Sequence, residues 1–457
     1  MSKKKINIVI GGGLAGIVSA LLLKKKNNEV ILIEQNKKIG GLFQSRKLYK
    51  NLFFDYGSHF IKETGIPKID KIIFSDLNNK NCHILGNLKG GSYFKKKLDK
   101  HSPHCDTSLL NKKIYKKGIK EILNFKNIKK NPKNLKEQIL NIYGSTFFKE
   151  ILNPIINKKS FNCSLDKIEP NNHFFFGFSR IKAFDEKKSR IIKKNKKLNN
   201  IFSFHHYSEG ESGLKSYYPK RGGAGFIVNL LEKKLKLKGV KVLCNQKVEN
   251  INFKSNSIDS VLLNNSSKIK CHKVVWTLNH NILCKFTNLS FKKNKIKNFF
   301  HISLHHLVFD RSFLTNNDYI SSYDPNQKIS RITLYPNIYN DNKWIKNWKK
   351  NNKYFHLTAE VISPKLEDLN TLQKKVISEI YQMGVVSKNT KLKFKFSERF
   401  GGKTPVPTVL NLSNSKNNFF KLKNTFKNVI FAGQISAPKS TGQLLTNIYN
   451  ELNNEKN

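Results

Sequence analysis

The first forty residues alternate between apolar runs and polar or glycine-rich breaks. Residues 6–10 (Ile-Asn-Ile-Val-Ile) and residues 29–33 (Glu-Val-Ile-Leu-Ile) are apolar runs typical of strands that are buried in a parallel sheet. Between them, residues 17–24 carry the apolar spacing of a helix. The pattern therefore predicts a strand–helix–strand unit, the building block of α/β folds.

Similar patterns return later in the chain. A helix is predicted after the glycine turn at 222–225, and residues 239–251 indicate a strand, a turn and a second strand. Residues 273–277 and 428–432 indicate two more buried strands, and a final helix is predicted to begin near Ser440.

The turn after the first strand has the spacing G-x-G-x-x-G. Gly11 allows a tight turn, Gly13 lets the backbone approach a pyrophosphate, and Gly16 lets the helix pack closely on the sheet. Leu14 and Ala15 open the helix, whose free N–H groups favour an anion. Glu34 ends the second strand, eighteen residues after Gly16, where it and the adjacent Gln35 are expected to meet a ribose. We therefore predict dinucleotide binding.

The next segment favours FAD over NAD. Residues 38–45, Lys-Ile-Gly-Gly-Leu-Phe-Gln-Ser, resemble the R-x-G-G-R-x-x-S/T motif of many FAD proteins. Lys38 stands at the first Arg position and Leu42 at the second, which puts one phosphate or substrate contact in doubt. The resemblance implies that Gly40, Gly41 and Leu42 run under the FAD diphosphate and ribityl chain.

A third segment, Phe53-Phe-Asp55-Tyr-Gly57-Ser58-His59, resembles the F-D-x-G-x-H segment of protoporphyrinogen-oxidase-like and UDP-galactopyranose-mutase-like flavoproteins. The resemblance implies that the backbone of Gly57, Ser58 and His59 passes beside the flavin ring. His59 is the candidate catalytic residue; the alternative is a buried, hydrogen-bonded core histidine. We expect the Asp55 carboxylate to bond the amides of its own turn.

Two further segments resemble the amine oxidase and protoporphyrinogen oxidase superfamily. Val248 matches the position whose backbone clamps the adenine. Gly433 and Gln434 match the carboxyl-terminal FAD motif, although many members have an acid where Gln434 stands. The helix amino end near Leu444 would face the flavin N1–C2 edge, where reduced flavin is negatively charged.

The resemblance implies a fold class and a domain order. We expect an α/β protein with a Rossmann-like FAD-binding domain of the glutathione-reductase type, split in sequence, and an inserted α+β substrate domain. The predicted FAD-binding parts are residues 1–75, 215–285 and 395–457. The predicted substrate-domain parts are residues 76–214 and 286–394.

The net charge of +53 comes almost wholly from lysines spread along the chain. We interpret it as a compositional bias of the genome and expect no specific nucleic-acid partner. The densest run, Lys187 to Lys197, is interpreted as a basic surface loop. The six cysteines are scattered and are expected to be reduced thiols, and no metal site is predicted.

No apolar run is long enough for a membrane span and no signal peptide is recognisable, so we expect a cytoplasmic protein. Peripheral membrane contact and the oligomeric state are left open. The predicted activity is an FAD-dependent oxidoreductase that transfers a hydride from a small molecule to flavin N5. The alternative is a sugar-nucleotide mutase, which would clamp a diphosphate with arginine; Arg180, Arg221, Arg311, Arg331 and Arg399 are the candidates.

Overall fold

The computed structural model of the chain describes residues 5–57, 59–124, 131–156, 163–172, 177–210, 213–291, 298–338, 354–433 and 441–454. Within these residues, a parallel sheet covered on both faces joins a larger mixed sheet and a cluster of helices. The predicted α/β class is confirmed.

The described part of the parallel sheet has five strands from segments far apart in the sequence. Their order is Lys241–Leu243, Asn28–Ile33, Lys5–Ile10, Lys273–Trp276 and Val429–Phe431. The central strands are buried apolar runs towards their carboxyl ends, because a parallel strand covered on both faces buries its side chains, whereas the edge strand Lys241–Leu243 is less buried. The strands and the helix Leu14–Leu23 that the apolar pattern predicts are all present.

Side chains of the central strands alternate between two hydrophobic cores, as the period of two in a strand requires. Val9, Val30 and Leu32 face a helical layer formed by Leu14–Leu23, Pro67–Phe74, Gly225–Leu237 and Thr441–Asn454. Ile8, Ile31 and Ile33 face a second layer formed by the antiparallel strands Val248–Lys254, Ser257–Leu263 and Lys268–Lys270 and the helices His280–Cys284 and Val409–Thr425.

A larger sheet forms the other half of the molecule, with seven strands among the described residues. Their order is Leu392–Pro405, Phe299–Phe309, Phe355–Ser363, Ile329–Leu334, Tyr319–Ser322, Gly90–Phe94 and Lys97–Asp99. The helix Leu369–Gln382 covers one face with Leu372, Val376 and Ile380. Strand Leu392–Pro405 crosses the boundary predicted between residues 394 and 395; the domain limits stay a prediction.

A helical cluster packs beside this sheet around buried Tyr143, Phe178 and Phe202. It contains Thr107–Leu109, Lys112–Leu123, Leu135–Phe147, Phe148–Leu152, Glu186–Ile192 and Lys196–Asn199, together with the short strands Cys105–Asp106 and Ile181–Lys182. The basic run Lys187 to Lys197 therefore lies largely in two helices. Its prediction as a loop was wrong: Asp185 and Asn195 cap the helices by accepting hydrogen bonds from backbone amides.

Short elements connect the two halves. The hairpin Ser45–Tyr49 and Leu52–Asp55 follows the turn Gly41–Phe43, and Ile61–Lys62, Ser216–Pro219 and Cys82–Leu85 form a small antiparallel sheet. A shared core that includes Phe54, Tyr218 and Tyr335, with Tyr335 in the short helix Tyr335–Ile338, joins them to the large sheet. Across the described ranges, no helix is both long and apolar enough to cross a bilayer.

Candidate cofactor and substrate site

The glycine-rich loop joins the first strand to the first helix at the carboxyl edge of the parallel sheet. Gly11 has a φ of +101° and donates its N–H to the Ile33 carbonyl at 2.9 Å. A Cβ on Gly16 would lie 1.8 Å from the Gly11 carbonyl oxygen. Both glycines are thus required by the protein itself, one by backbone conformation and the other by close packing.

Gly13 differs from its neighbours because no described part of the protein requires glycine there. Its φ of −68° and ψ of 175° suit any residue, and no described atom lies within 4 Å of where its Cβ would be. Gly13 is the N-cap of the helix, with Leu14 and Ala15 as the first helical residues. The loop therefore leaves open space at the positive end of a helix dipole, where a pyrophosphate fits.

Glu34 lies at the end of the second strand, as predicted. Its Oε2 accepts the Gly12 N–H at 2.7 Å, and its Oε1 accepts two hydrogen bonds from Asn36. A carboxylate has about four acceptor positions, so Oε2 retains capacity for a ribose hydroxyl. Gln35, beside it, is exposed. Glu34 thus fixes the glycine loop and can still meet a ligand.

Val248 approaches the same edge from another part of the chain. The amides of Asn245 and Gln246 donate to the carbonyls of Asn36 and Glu34, each at 3.0 Å. Two residues later, Val248 begins a strand and is buried in the second core. Val248 is therefore a core residue, and its backbone follows the contact with Glu34 by two residues. Its contact with adenine stays a prediction.

The glycine pair packs directly on the glycine loop. The Gly40 N–H donates to the Gly12 carbonyl at 2.7 Å, and a Cβ on Gly41 would lie 3.2 Å from the Gly13 Cα. Their φ values of +119° and +52° favour glycine. Leu42, at the second Arg position of the motif, is about half exposed. The structure thus brings the first two predicted motifs into contact.

The segment after Asp55 turns at Gly57, whose φ is +111°. A Cβ there would lie 3.1 Å from the Glu360 carboxylate. Glu360 in turn accepts two hydrogen bonds from the Arg331 guanidinium, each at 2.7 Å. Ser58 lies outside the described residues. The Gly57 turn therefore lies beside a bidentate ion pair of the large sheet.

The His59 ring is held by its own loop. Its Nε2 lies 2.9 Å from the Tyr56 carbonyl, and its ring lies 5.2 Å from that of Phe43, in the turn that follows the glycine pair. Burial lowers the pKa of His59, and Arg331 adds to this while Glu360 opposes it. These contacts indicate a neutral imidazole that packs between the Gly57 segment and the turn after the glycine pair. Contact with flavin stays a prediction.

The Asp55 carboxylate is expected to bond the amides of its own turn, but its described hydrogen bonds go to distant segments; Ser58 of that turn lies outside the described residues. The buried carboxylate accepts hydrogen bonds from the hydroxyls of Ser45 and Tyr218 and from the Ala224 amide, at 2.5, 2.7 and 3.0 Å. Burial raises the pKa of Asp55 to about 6, and these hydrogen bonds oppose the rise. Asp55 therefore ties its loop to two distant segments.

The carboxyl-terminal motif comes to the same sheet edge. The Ala432 N–H donates to the Trp276 carbonyl at 2.9 Å, and a Cβ on Gly433 would lie 2.3 Å from the Leu278 carbonyl oxygen. Leu444 is half-buried on the helix Thr441–Asn454 and packs against the first core. Gln434 lies outside the described residues, so its predicted contact stays a prediction.

A cleft opens beside the Gly57 turn. Its inner part is lined by Phe60, Tyr323 and Arg331, and its outer part by Arg180, Lys193 and Glu209. The two parts adjoin, since both are lined by Lys62, Leu88, Pro103, His104, Ser216 and Tyr319. Phe60 directly follows the predicted flavin segment, and Arg331 is paired with Glu360 beside Gly57, so the whole cleft is the candidate substrate site.

Arg331, Glu360 and Tyr218 are site residues that sequence patterns did not single out for this role. Arg331 appears only among the arginines available to clamp a diphosphate. Its pairing with Glu360 follows from strand register, because the two residues are partners across Ile329–Leu334 and Phe355–Ser363. No local signal in either strand carries that register.

Comparison with known proteins now identifies the family. A family model for flavin-containing amine oxidoreductases matches residues 14–382, which is most of the chain. The chain belongs to the flavin-containing amine oxidoreductase family. It is therefore an FAD-dependent oxidoreductase that acts on a small molecule, and the glycine loop, Glu34 and the glycine pair offer FAD a fitting cradle.

Solved structures show the same fold at low sequence identity. A provisionally assigned protoporphyrinogen oxidase from Exiguobacterium sp. 255-15 is similar with a TM-score of 0.69 and 12% identity, covering 99% of both chains. A reduced UDP-galactopyranose mutase is similar with a TM-score of 0.68 and 16% identity, covering 92% of this chain and 87% of that one. An oxidoreductase from Methanosarcina mazei is similar with a TM-score of 0.63 and 12% identity, covering 98% of this chain and 100% of that one. No curated protein matches the sequence.

Within the described ranges of this flavin-containing amine oxidoreductase, no group of three or more His, Cys, Asp or Glu side chains is placed to hold a metal ion. The six cysteines are free thiols. His101 is exposed, whereas His104 lines the cleft between the predicted flavin segment and Arg180.

Proposed function

We propose that this enzyme oxidises a small molecule in the cleft by transfer of a hydride from a C–N or C–C bond to flavin N5. The observation that carries the proposal is the position of the inner cleft, which adjoins Phe60 and the Arg331–Glu360 pair beside Gly57. Bound FAD supplies the hydride acceptor. The chain supplies orientation, and the absence of a side chain at Gly57 leaves room for the Glu360 carboxylate beside the turn.

The contacts around the Gly57 turn suit such a role, because hydride transfer needs close and fixed geometry. Asp55 anchors the turn to Ser45 and Ala224, while the Asp55 N–H donates to the Tyr335 hydroxyl at 2.9 Å. Phe60 packs on Tyr218 with ring centroids 5.7 Å apart. A segment held at so many points can position a substrate against a cofactor.

One observation favours a second candidate function, a sugar-nucleotide mutase that uses reduced flavin without net redox. Of the five candidate arginines, Arg180 and Arg331 line the cleft, whereas Arg221, Arg311 and Arg399 are exposed elsewhere. Two arginines in a cleft match a diphosphate. Arg331, however, is already paired with Glu360, which supports the oxidoreductase as the leading proposal.

An anaerobic screen of the flavin-loaded protein separates the two functions. Amines, porphyrinogens, carotenoid precursors and UDP-sugars are added singly, and the oxidised flavin absorbance is followed. Bleaching by one compound, with stoichiometric formation of its oxidised product, supports the oxidoreductase. Interconversion of UDP-galactopyranose and UDP-galactofuranose by the dithionite-reduced protein, with no compound bleaching the oxidised form, would replace it with the mutase.

We also propose that the enzyme works in the cytoplasm without a specific nucleic-acid partner. The lysines that give the charge of +53 are spread over the chain. Several of them cover local ring or carbonyl groups, such as Lys50 over Tyr354 and Lys234 on the Ile72 carbonyl, instead of forming one basic groove.

A further inference from the structure

Two basic side chains are held in the outer cleft by one short segment. The Arg180 Nε donates to the Asn199 carbonyl at 2.7 Å. The Lys193 Nζ donates to the Asn199 Oδ1 at 2.6 Å and to the Phe202 carbonyl at 3.2 Å, and lies 4.2 Å from the Phe204 ring centroid. Both cations are therefore fixed in place, unlike the many lysines that extend into solvent.

Within the described ranges, no carboxylate forms an ion pair with Arg180 or Lys193, although Glu209 is close enough to raise the pKa of Lys193. Glu209, the acidic residue lining this part, accepts the His206 N–H at 2.9 Å and lies 3.5 Å from Arg190. The hydrogen bonds to Arg180 and Lys193 come from carbonyl and amide oxygens, which do not cancel their charge. The outer cleft thus has an excess of positive charge.

The neighbouring pKa values respond to this excess. Burial and the nearby Arg180 lower the pKa of Lys193 to about 8, although Glu209 opposes the shift. Burial, with Arg180 and Lys193 next, lowers the pKa of His104 to about 4. The buried His104 Nδ1 has no hydrogen-bond partner among the described atoms. Burial is the largest cause of both shifts, and the repulsion of Arg180 adds to it in each case.

The inner cleft has a different balance of charge. Arg331 is paired with Glu360, so its charge is largely cancelled beside Gly57. Lys62 lines both parts, so the difference between them is the added charge of Arg180 and Lys193 in the outer part, whereas Arg331 in the inner part is paired with Glu360. A substrate with one uncharged end and one anionic end matches this polarity, whereas a simple amine would be repelled from the outer end.

We propose that the substrate of this enzyme carries a phosphate or carboxylate group, which Arg180 and Lys193 bind in the outer cleft while the reacting end lies in the inner cleft. The guanidinium supplies a planar donor fork and the ammonium a point charge, a combination suited to both groups. The orientation of the reacting end rests on the proposed function; the anion site itself does not.

Calorimetric titration of the flavin-loaded protein at physiological ionic strength tests the site. Pyrophosphate and glutarate serve as probes for the two anion chemistries. Arg180→Gln and Lys193→Gln should each weaken binding of the preferred probe about tenfold or more, the loss expected for one charge-assisted hydrogen bond. Lys194→Gln is the matched control, since Lys194 is the next residue and exposed, and it should change affinity by less than about twofold.

The probe whose affinity falls in Arg180→Gln and Lys193→Gln identifies the class of anion that the site binds. A loss for pyrophosphate alone indicates a phosphate group, and a loss for glutarate alone a carboxylate. The proposal is overturned if neither probe binds at millimolar concentration, or if Lys194→Gln weakens binding as much as the cleft variants do. Arg180→Lys keeps the positive charge and should bind the preferred probe more tightly than Arg180→Gln does. This second variant keeps the test valid if Arg180→Gln fails to fold.

The outcome is separable from that of the proposed function. If the cleft variants lose anion binding but no compound bleaches the flavin, the anion site stands and hydride transfer fails. If a neutral compound reduces the flavin at equal rates in wild type and Arg180→Gln, hydride transfer stands and the anionic substrate fails.

Discussion

The hydroxyl of Tyr218 donates a hydrogen bond to the buried carboxylate of Asp55 at 2.7 Å, although 163 residues separate them in the chain. The same carboxylate accepts from Ser45 and from the Ala224 amide. Asp55 therefore joins the hairpin before the Gly57 turn, the small antiparallel sheet and the start of helix Gly225–Leu237. This one side chain thus links three segments around the turn.

Asp55 gives a prediction for the pH dependence of stability. Its pKa rises from an ordinary value of 3.8 to about 6 in the folded protein, chiefly through burial. The folded state thus binds the Asp55 proton more tightly than the unfolded state does. The resulting contribution to stability is complete below pH 3.8 and is lost as pH rises through about 6. Asp55→Asn should remove this part of the pH dependence, worth about 1 to 3 kcal/mol.

The measurement is the free energy of unfolding by urea between about pH 4 and 7. Subtracting the Asp55→Asn curve from the wild-type curve isolates the Asp55 contribution, since other titrating groups are shared. Asp76→Asn, at a partly exposed acid, is the control for the added amide. Parallel curves for wild type and Asp55→Asn would show that burial does not shift this carboxyl.

His59 is the candidate for contact with flavin. His59→Ala should retain FAD, because Gly13, Glu34 and Gly41 are untouched, but should shift the flavin absorbance bands and slow reduction by the substrate found in the screen. His101→Ala, at an exposed histidine, should change neither. If His59→Ala matches wild type in both spectrum and rate, the bond from its ring to the Tyr56 carbonyl is its whole role.

The charge of +53 predicts weak, general attraction to nucleic acid. Binding to a labelled duplex should be independent of its sequence and should fall steeply between low and physiological salt, because released counterions drive it. Fluorescence anisotropy over a salt series measures this. Tight binding to one sequence at physiological salt would contradict both the compositional interpretation and the assignment of the cleft cations to a small anion.

Sequence patterns predicted the cofactor half of the molecule well, because its signals are local. The strand Lys5–Ile10, the glycine spacing and Glu34 lie within about thirty residues and carry their own geometry. Gly13 shows what such a signal adds, since no described atom would contact a Cβ there and the predicted ligand is the proposed reason for its glycine.

The substrate half could not be predicted because its contacts are distant in sequence. Arg331 meets Glu360 through the register of two strands, and Asp55 meets Tyr218 from a different small sheet. Lys193 belongs to a basic run that was interpreted as exposed loop, yet it follows a helix and turns onto Asn199 and Phe202. Composition cannot separate one inward lysine from its solvated neighbours.

The FAD content of Gly13→Val tests the central claim most directly, that the open space at Gly13 is the cofactor cradle. The purified variant should keep the wild-type circular dichroism spectrum, since a Cβ at position 13 would have no described atom within 4 Å, and should release no FAD on denaturation, whereas wild type should release one FAD per chain. Gly16→Ala is the contrasting control, because its Cβ would lie 1.8 Å from the Gly11 carbonyl oxygen and should destabilise the fold itself. A folded Gly13→Val protein that retains stoichiometric FAD would contradict the account.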